Sequence, residues 1–448
     1  MTVKNTSLTF ALINLMAFAV VFIGWWPVPG SYFLLEPVLF CAIAVLCLFM
    51  LPAGEVRINR RSLAAYAAFA AWVVLTDALS GEFLTAFARD VHWLILPLLV
   101  VLYKPLFARS DEPLKVLQVA VALSLIVICY RLIDGADGVY NWVRPPIFGH
   151  IRRLAMTAGL MSLFLYYDVG YRRYERWLLM VARIVGLGLL LWSGSRGAML
   201  AWLLALFTFI WCTGQRSRLR GWSIEAGIAV ALALLFDVGS PYLGVLGGFF
   251  RSWNQAMDIG TIDGISSGRL TLWLKTLGAL QDPYTALFGT GGNGFVRMQL
   301  MTWKSLVFHP HNIILQVLLD WGIGGLCLLL WLVKQGLPPP AAWKPGKGNA
   351  AGLGAALMVF LLVTGLLDGG LYHLQYLFFA AIAFALVAQP VTAIPCDEKS
   401  IARKIAIPRL GIACLLFVAI FLHWSVHDYR ADRLVTHLQK TYVARHLG

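Results

Sequence analysis

Long apolar segments, each close to the length that crosses a lipid bilayer, recur along the whole of this 448-residue chain. A spanning helix needs roughly 20 consecutive apolar residues. Three of the candidate segments, 154–168, 178–192 and 224–238, are short, so twelve spans is the alternative to thirteen. The sequence therefore predicts an all-α polytopic membrane protein. The candidate spans are 8–24, 32–51, 62–79, 91–108, 116–133, 154–168, 178–192, 197–213, 224–238, 313–333, 351–367, 371–388 and 407–424.

Composition and charge agree with this class and indicate an orientation. Apolar residues make up 60% of the chain and charged residues 13%, which excludes an ordinary soluble domain. With a cytoplasmic N-terminus, the predicted inside segments hold 19 Lys and Arg, and the short outside connections hold 5. The net charge of +14 is thus mainly a topology signal. Because the basic residues are dispersed over separate loops, no nucleic-acid partner is expected.

The chain divides into four predicted regions. Residues 1–238 hold the N-terminal transmembrane helices, and residues 239–312 form a long outside loop. Residues 313–424 hold the C-terminal transmembrane helices, and residues 425–448 form a short polar tail. Loops as long as 239–312 are usually functional. Its middle, 266–280, predicts an amphipathic helix that begins after a Ser266 or Ser267 cap and can lie on the membrane, with an apolar face formed by Leu270, Leu274, Leu277 and Leu280.

A polar cluster, His309-Pro310-His311-Asn312, directly precedes an apolar run of spanning length. Asn312, Gln316 and Asp320 then recur every four residues, which places them on one stripe of a helix. Such a stripe should face other helices or a polar cavity rather than lipid. The sequence therefore predicts an imidazole at the mouth of an intramembrane cavity.

His311 is the predicted general base, because Asn312 and the polar stripe extend the site inward from it. If helical geometry starts near His309, the rings of His309 and His311 point about 200° apart, and only one reaches the acceptor. Three residues in a later outside turn can line the same cavity, although interface anchoring explains them equally well. They are Asp368, Tyr372 and His373.

Two arginines on the same predicted face lie among Ser and Gly residues. Arg196 belongs to WSGSRGAML, and Arg269 follows SSG at a predicted helix start. Exposed backbone N–H groups, a helix N-terminus and a guanidinium fork together suit a phosphate ligand. The alternative is an arginine that reaches the interface for solvation alone. The nearby FGTGGNGF run lacks the ending of a P-loop, so it is interpreted as a structural turn.

Metal and cofactor sites are not expected. His309 and His311 have no carboxylate or third His nearby at a recognisable ligand spacing. The sequence therefore predicts neither a metal centre nor a cofactor.

These residues together resemble the O-antigen ligase and O-antigen polymerase superfamily of bacterial envelope glycosyltransferases. The resemblance rests on SGSRG at 193–197, SSGRLTLW at 266–273, FGTGGNGF at 288–295, and HPHNIILQVLLDWGIGG after the long outside loop. It implies a GT-C-like membrane fold and metal-independent, inverting glycosyl transfer. By the same resemblance, Arg196 and Arg269 hold the donor diphosphate, and His311 is the base. His309 and Asn312 are possible cavity-lining residues.

The resemblance also implies substrates and a location. The donor is a glycan on undecaprenyl diphosphate, the acceptor is lipid A–core oligosaccharide, and membrane lipids surround the protein. The expected location is the bacterial inner membrane, with the active site facing the periplasm. The alternatives are an O-antigen polymerase and an O-linked protein oligosaccharyltransferase, which use the same donor. A transporter is disfavoured, because charged pairs are not found in two matching halves of the sequence.

Overall fold

The computed structural model describes residues 60–109, 111–134, 151–235, 266, 268–300, 309–337, 350–372 and 374–387. Within these ranges the chain is helical and contains no strand. The described helices, numbered in chain order, are α1 (Arg60–Leu79), α2 (Phe83–Arg109), α3 (Glu112–Asp134), α4 (Ile151–Phe164), α5 (Arg173–Trp192), α6 (Arg196–Thr213), α7 (Leu219–Leu235), α8 (Arg269–Ala279), α9 (Pro283–Phe288), α10 (Gly294–Arg297), α11 (Ile313–Gly336), α12 (Ala350–Asp368) and α13 (Leu374–Val387).

The helices confirm the all-α polytopic prediction. Every predicted span within the described residues coincides with a helix, and six of the helices are long and apolar enough to cross a membrane. The predicted spans at 8–24, 32–51 and 407–424 lie outside the described residues, as does the tail at 425–448. The total of twelve or thirteen spans, the GT-C-like architecture and the four-region division stay predictions.

Helix α6 shows how a span divides its faces between protein and lipid. Leu203, Phe207 and Trp211 follow one another at four-residue spacing and are exposed on the outer face. Small residues at 198, 201 and 205 are fully buried on the inner face, where α6 packs along α12. Small side chains let helix backbones approach closely, which is how spans associate in lipid. The exposed apolar stripe is therefore the lipid-facing surface.

Helix α11 is not the continuous span that its sequence predicts, because it breaks at Gly322. That residue has φ +64° and ψ −172°, outside helical geometry. The break leaves the carbonyls of Leu319 and Asp320 available to another segment: Thr290 N donates to the first at 2.8 Å and Gly291 N to the second at 2.7 Å. A Cβ on Gly322 would lie 2.2 Å from the Leu287 carbonyl oxygen, so only glycine fits there.

The glycine-rich run after α9 is a structural turn, as its sequence indicates. It lies against three buried carboxyl groups: Gly292 N donates to Asp77 Oδ1 at 3.0 Å, and Gly294 N donates to Asp320 Oδ1 at 3.3 Å. The third, Asp90, accepts from Trp321 Nε1 at 2.5 Å. These bonds join α1, α2 and α11 around the turn.

The polar stripe of α11 faces other parts of the protein, as predicted, and each of its members has a structural contact. Asn312 caps the helix by accepting from the backbone N–H groups of Ile314 and Leu315 at 3.0 and 3.1 Å. Gln316 Nε2 donates to Asp320 at 2.6 Å, and both side chains are buried. Asp320, which also accepts from Gly294 N, therefore joins α11 to the glycine-rich turn.

Candidate active site

The two histidines lie in a short non-helical segment before α11. Because the helix begins only at Ile313, His309 and His311 do not follow helical spacing. His311 has φ +56°, and its backbone N–H donates to His309 Nδ1 at 3.2 Å. The ring centroids are 4.4 Å apart in an edge-on contact. The condition for a 200° separation of the rings, a helix that starts near His309, is therefore not met, and the imidazoles form an adjacent pair.

The ring of His311 is oriented by the end of α12. Its Nδ1 lies 3.3 Å from the backbone carbonyl oxygen of Asp368. A carbonyl oxygen can only accept, so this contact favours the tautomer with the proton on Nδ1. Nε2 then keeps its lone pair, which is the atom a general base needs.

The surroundings of His311 also favour its neutral form. Burial lowers the pKa of His311 to about 4; the charge of Asp368 opposes this shift, and those of Arg152 and Arg269 add to it. At neutral pH the imidazole is therefore uncharged and able to take a proton. The pKa of His309 is also lowered, by burial first and then by His311 and neighbouring arginines.

Close packing holds the histidine segment in place. Gly369 has φ +66°, and a Cβ there would lie 2.6 Å from His309 Cε1, so this imidazole lies directly against the turn after α12. The segment also contacts α8, where Trp273 Nε1 donates to the Pro310 carbonyl at 2.9 Å. The pair of rings is thus held between α8 and the end of α12.

Asp368 connects the histidines to the predicted phosphate-binding arginines. Its buried carboxylate accepts from Arg269 Nη2 at 2.5 Å, while its backbone carbonyl contacts His311. Arg269 is the first residue of α8, as predicted; Gly268 is the N-cap, and Leu270 N donates to Ser266 Oγ at 3.2 Å. Arg269 Nε is buried and has no hydrogen-bond partner among the described residues. Arg269 therefore combines a fixed contact with a donor group available to a ligand.

Arg196 reaches the same location from another helix. It is the first residue of α6, after a turn in which Gly194 has φ +65°. A Cβ on the next residue, Gly197, would lie 3.4 Å from Asp368 Oδ2, so the N-terminus of α6 adjoins this carboxylate. Two helix N-termini, each beginning with an arginine, therefore meet beside the histidine pair. Their macrodipoles and guanidinium groups both favour an anion there.

The site includes an arginine that sequence reasoning missed. Arg152, near the start of α4, has Nη1 3.4 Å from Asp368 Oδ1. The available signal was the Arg152-Arg153 pair at the outside end of a short apolar segment, which sequence reasoning used only for topology. Among the other predicted cavity residues, Asp368 and His309 belong to this cluster. His373 lies outside the described residues; Tyr372 lies in a 3₁₀ turn, Gly370–Tyr372, and its side chain is not described.

Comparison with known protein families supports the family resemblance that the sequence motifs indicate. Residues 178–330, which include both predicted phosphate-binding arginines and the histidine pair, match a family model described as O-antigen ligase. The chain carries an O-antigen ligase family domain. The predicted superfamily is thereby confirmed. No curated protein is significantly similar to the chain.

The matched domain gives the site a coarse chemical class. The O-antigen ligase family acts on lipid-linked glycans and lipid acceptors in general, and the apolar helices of this chain indicate a multi-pass membrane protein. Among the described residues, no group of three His, Cys, Asp or Glu is arranged to hold a metal ion. Among the described residues, Arg152 and Arg269 form ion pairs with Asp368 at the site.

Proposed function

We propose that this protein is an O-antigen ligase: an inverting glycosyltransferase that moves O-antigen glycan from undecaprenyl diphosphate to lipid A–core oligosaccharide. The observation that supports this best is the meeting of a neutral imidazole with Arg196 and Arg269 around Asp368. Glycosyl transfer from a lipid diphosphate needs a base for the acceptor and cations for the leaving group. Both are present within one cluster.

The proposed reaction is a single displacement. The acceptor hydroxyl oxygen bonds to the anomeric carbon of the donor glycan as the bond between that carbon and the diphosphate oxygen breaks. His311 Nε2 takes the hydroxyl proton, and undecaprenyl diphosphate leaves with the electron pair. Because attack and departure occur on opposite faces of the sugar, the configuration at this carbon inverts.

The leaving group determines the role of the arginines. Negative charge grows on the diphosphate as its bond to the sugar breaks, so preorganised guanidinium groups stabilise the transition state more than the ground state. Arg269 is held by Asp368 through Nη2 and retains a buried Nε–H for the phosphate. Arg196 adds a second fork at the N-terminus of α6. We infer that this electrostatic stabilisation makes the reaction metal-independent.

The location follows from the topology that the charge distribution predicts. In that orientation the ends of α4, α8, α11 and α12 that form the site lie at the outer face of the inner membrane. A lipid-linked donor would then present its diphosphate at the periplasmic surface with its chain in the bilayer. The exposed apolar side chains Leu274 and Leu277 of α8 fit a helix at that surface.

A deletion strain tests the proposed reaction and its alternatives. The ligase assignment predicts loss of O-antigen-capped lipopolysaccharide while long lipid-linked polymer is retained. Capping with a single repeat would instead indicate a polymerase. Unchanged lipopolysaccharide together with loss of a glycoprotein would indicate a protein oligosaccharyltransferase.

Purified enzyme separates the same reactions without cellular background. One lipid-linked donor is offered with lipid A–core, a second lipid-linked repeat or a Ser/Thr-containing protein as the acceptor. The proposed function requires transfer to lipid A–core. Transfer only to another acceptor, or to none, would refute it.

A further inference from the structure

A third arginine shares the carboxylate that positions Arg269. Arg152 Nη1 lies 3.4 Å from Asp368 Oδ1, the same oxygen that accepts from Arg269 Nη2 at 2.5 Å. The side chain of Arg152 is 30% exposed, whereas that of Asp368 is 3% exposed. Arg152 therefore contacts a buried anchor and still presents part of its surface to a ligand.

The geometry of this contact differs from that of a structural ion pair in the same chain. Arg183 donates to the carboxylate of Glu225 through Nε at 2.8 Å and through Nη2 at 2.7 Å, which is a bidentate pairing. Arg152 approaches Asp368 through one nitrogen at a longer distance, and Arg269 already donates to that oxygen. Arg152 therefore shares the Asp368 carboxylate with Arg269 and does not form a closed bidentate pair with it.

The charges near Arg152 indicate which kind of ligand this residue can bind. Burial lowers the pKa of Arg152, and the charges of Arg269 and Arg196 lower it further, so the three groups lie near one another. Arginine nevertheless stays protonated at neutral pH. The diester diphosphate of a lipid-linked glycan carries about two negative charges, so it can accept hydrogen bonds from more than one of these guanidinium groups.

We propose that Arg152 is a third diphosphate-binding residue, which contacts the phosphate oxygens of the lipid-linked donor together with Arg196 and Arg269. The inference rests on the proposed function, since it deepens the recognition of the same donor. Three guanidinium groups from the starts of α4, α6 and α8 then surround the diphosphate. A diphosphate offers two phosphate groups to these three guanidinium groups, whereas a monophosphate offers one.

Direct binding to the full-length protein tests this role. The protein is placed in phosphatidylcholine nanodiscs, and its affinities for undecaprenyl diphosphate and undecaprenyl monophosphate are measured. Arg152→Gln should weaken diphosphate binding by about tenfold or more, the effect of one charge-assisted contact, and should reduce the preference for diphosphate over monophosphate. Arg152→Lys should fall between wild type and the Gln variant.

A matched control removes an equal charge elsewhere. Arg173→Gln, at the exposed first residue of α5, should leave both affinities unchanged. Thermal unfolding of each variant checks that the fold is retained. If Arg152→Gln unfolds, Arg152→Lys is used in its place. Its preference for diphosphate over monophosphate should still fall.

The outcomes separate this inference from the proposed function. If wild type binds undecaprenyl diphosphate and the Arg152 variants bind it equally well, the third contact is wrong and the proposed function stands. If the variants weaken both ligands by the same factor, Arg152 is structural and the inference is again wrong. If wild type itself does not bind undecaprenyl diphosphate, the proposed function fails, and this inference fails with it.

Discussion

At the scale of the residue, the chemistry depends on how one imidazole is held. The Asp368 carbonyl favours a proton on His311 Nδ1, and burial keeps the ring neutral. The same Asp368 fixes Arg269 through its carboxylate. One residue therefore orients the proposed base and the proposed phosphate ligand relative to each other, which is what a displacement between two substrates requires.

Replacing His311 tests the base directly. His311→Ala should insert and fold normally yet lose transfer by about 10²-fold or more, since no other group then takes the acceptor proton. His309→Ala is the control from the same ring pair and should lose less, because His309 supports the segment rather than contacting the acceptor. Turnover is measured with purified substrates at matched protein concentration. Near-normal turnover of the His311 variant would exclude the general-base role.

The pH dependence provides a second test at this scale. Because the pKa of His311 is lowered from 6.5 to about 4, the base of the free enzyme stays neutral as pH falls through 6.5. We expect kcat/KM to remain flat from pH 8 to about 5. Bound diphosphate is an anion and should raise this pKa, so the acid limb of kcat should lie at higher pH than that of kcat/KM. A fall in kcat/KM centred near 6.5 would contradict the buried, neutral imidazole.

The pH profile needs a control that separates titration of His311 from unfolding of the protein at acid pH. The unfolded imidazole binds a proton near pH 6.5, and the folded one does so only near 4. Folding stability contributed by the neutral ring is therefore lost progressively as pH falls from 6.5 to 4. Enzyme held at each acid pH and returned to pH 7.5 should regain full activity, which separates titration from denaturation.

At the scale of the element, the site is a meeting of helix ends. The N-termini of α6 and α8 and the C-terminus of α12 bring Arg196, Arg269 and Asp368 together, while the break in α11 lets the glycine-rich turn pack inside the bundle. Helix ends leave backbone groups unpaired, so they suit ligand binding better than the middle of a span.

The break at Gly322 is testable by a glycine substitution. Gly322→Ala should destabilise the protein by more than the roughly 1–3 kcal/mol of backbone strain alone, because the new Cβ would lie 2.2 Å from the Leu287 carbonyl oxygen. Gly278→Ala is the matched control: it lies in α8 with nothing within 4 Å of the new Cβ, and it should be neutral or stabilising by up to about 1 kcal/mol. Thermal unfolding in detergent measures both. Equal midpoints would show that the break tolerates a side chain.

At the scale of the whole molecule, the sequence predicted the helices well, because spanning length and apolar composition are local properties. It also predicted that Arg269 begins a helix, although the N-cap of that helix is Gly268 and not the predicted serine. It did not predict the break at Gly322, which depends on a distant carbonyl, or the adjacent rings of His309 and His311. Arg152 was missed for the same reason: its partner Asp368 is 216 residues away in the chain.

Metal independence is a property of the complete enzyme and has its own test. The proposed leaving-group stabilisation comes from guanidinium groups, so purified enzyme should transfer glycan at an unchanged rate in excess EDTA. A parallel reaction with added Mg²⁺ or Mn²⁺ should be no faster. Activity abolished by the chelator and restored by either ion would contradict the arginine-based mechanism.

The most direct measurement of the central claim compares lysine variants of the two predicted phosphate-binding arginines. In Arg196→Lys and Arg269→Lys the charge is kept, but a point charge cannot reproduce the guanidinium fork that holds phosphate oxygens in two directions. Transfer from undecaprenyl-diphosphate-linked glycan to lipid A–core is measured with each variant at matched expression. We predict that each variant loses about tenfold or more of wild-type activity. Full activity in both variants would contradict the claim that these arginines hold the donor diphosphate.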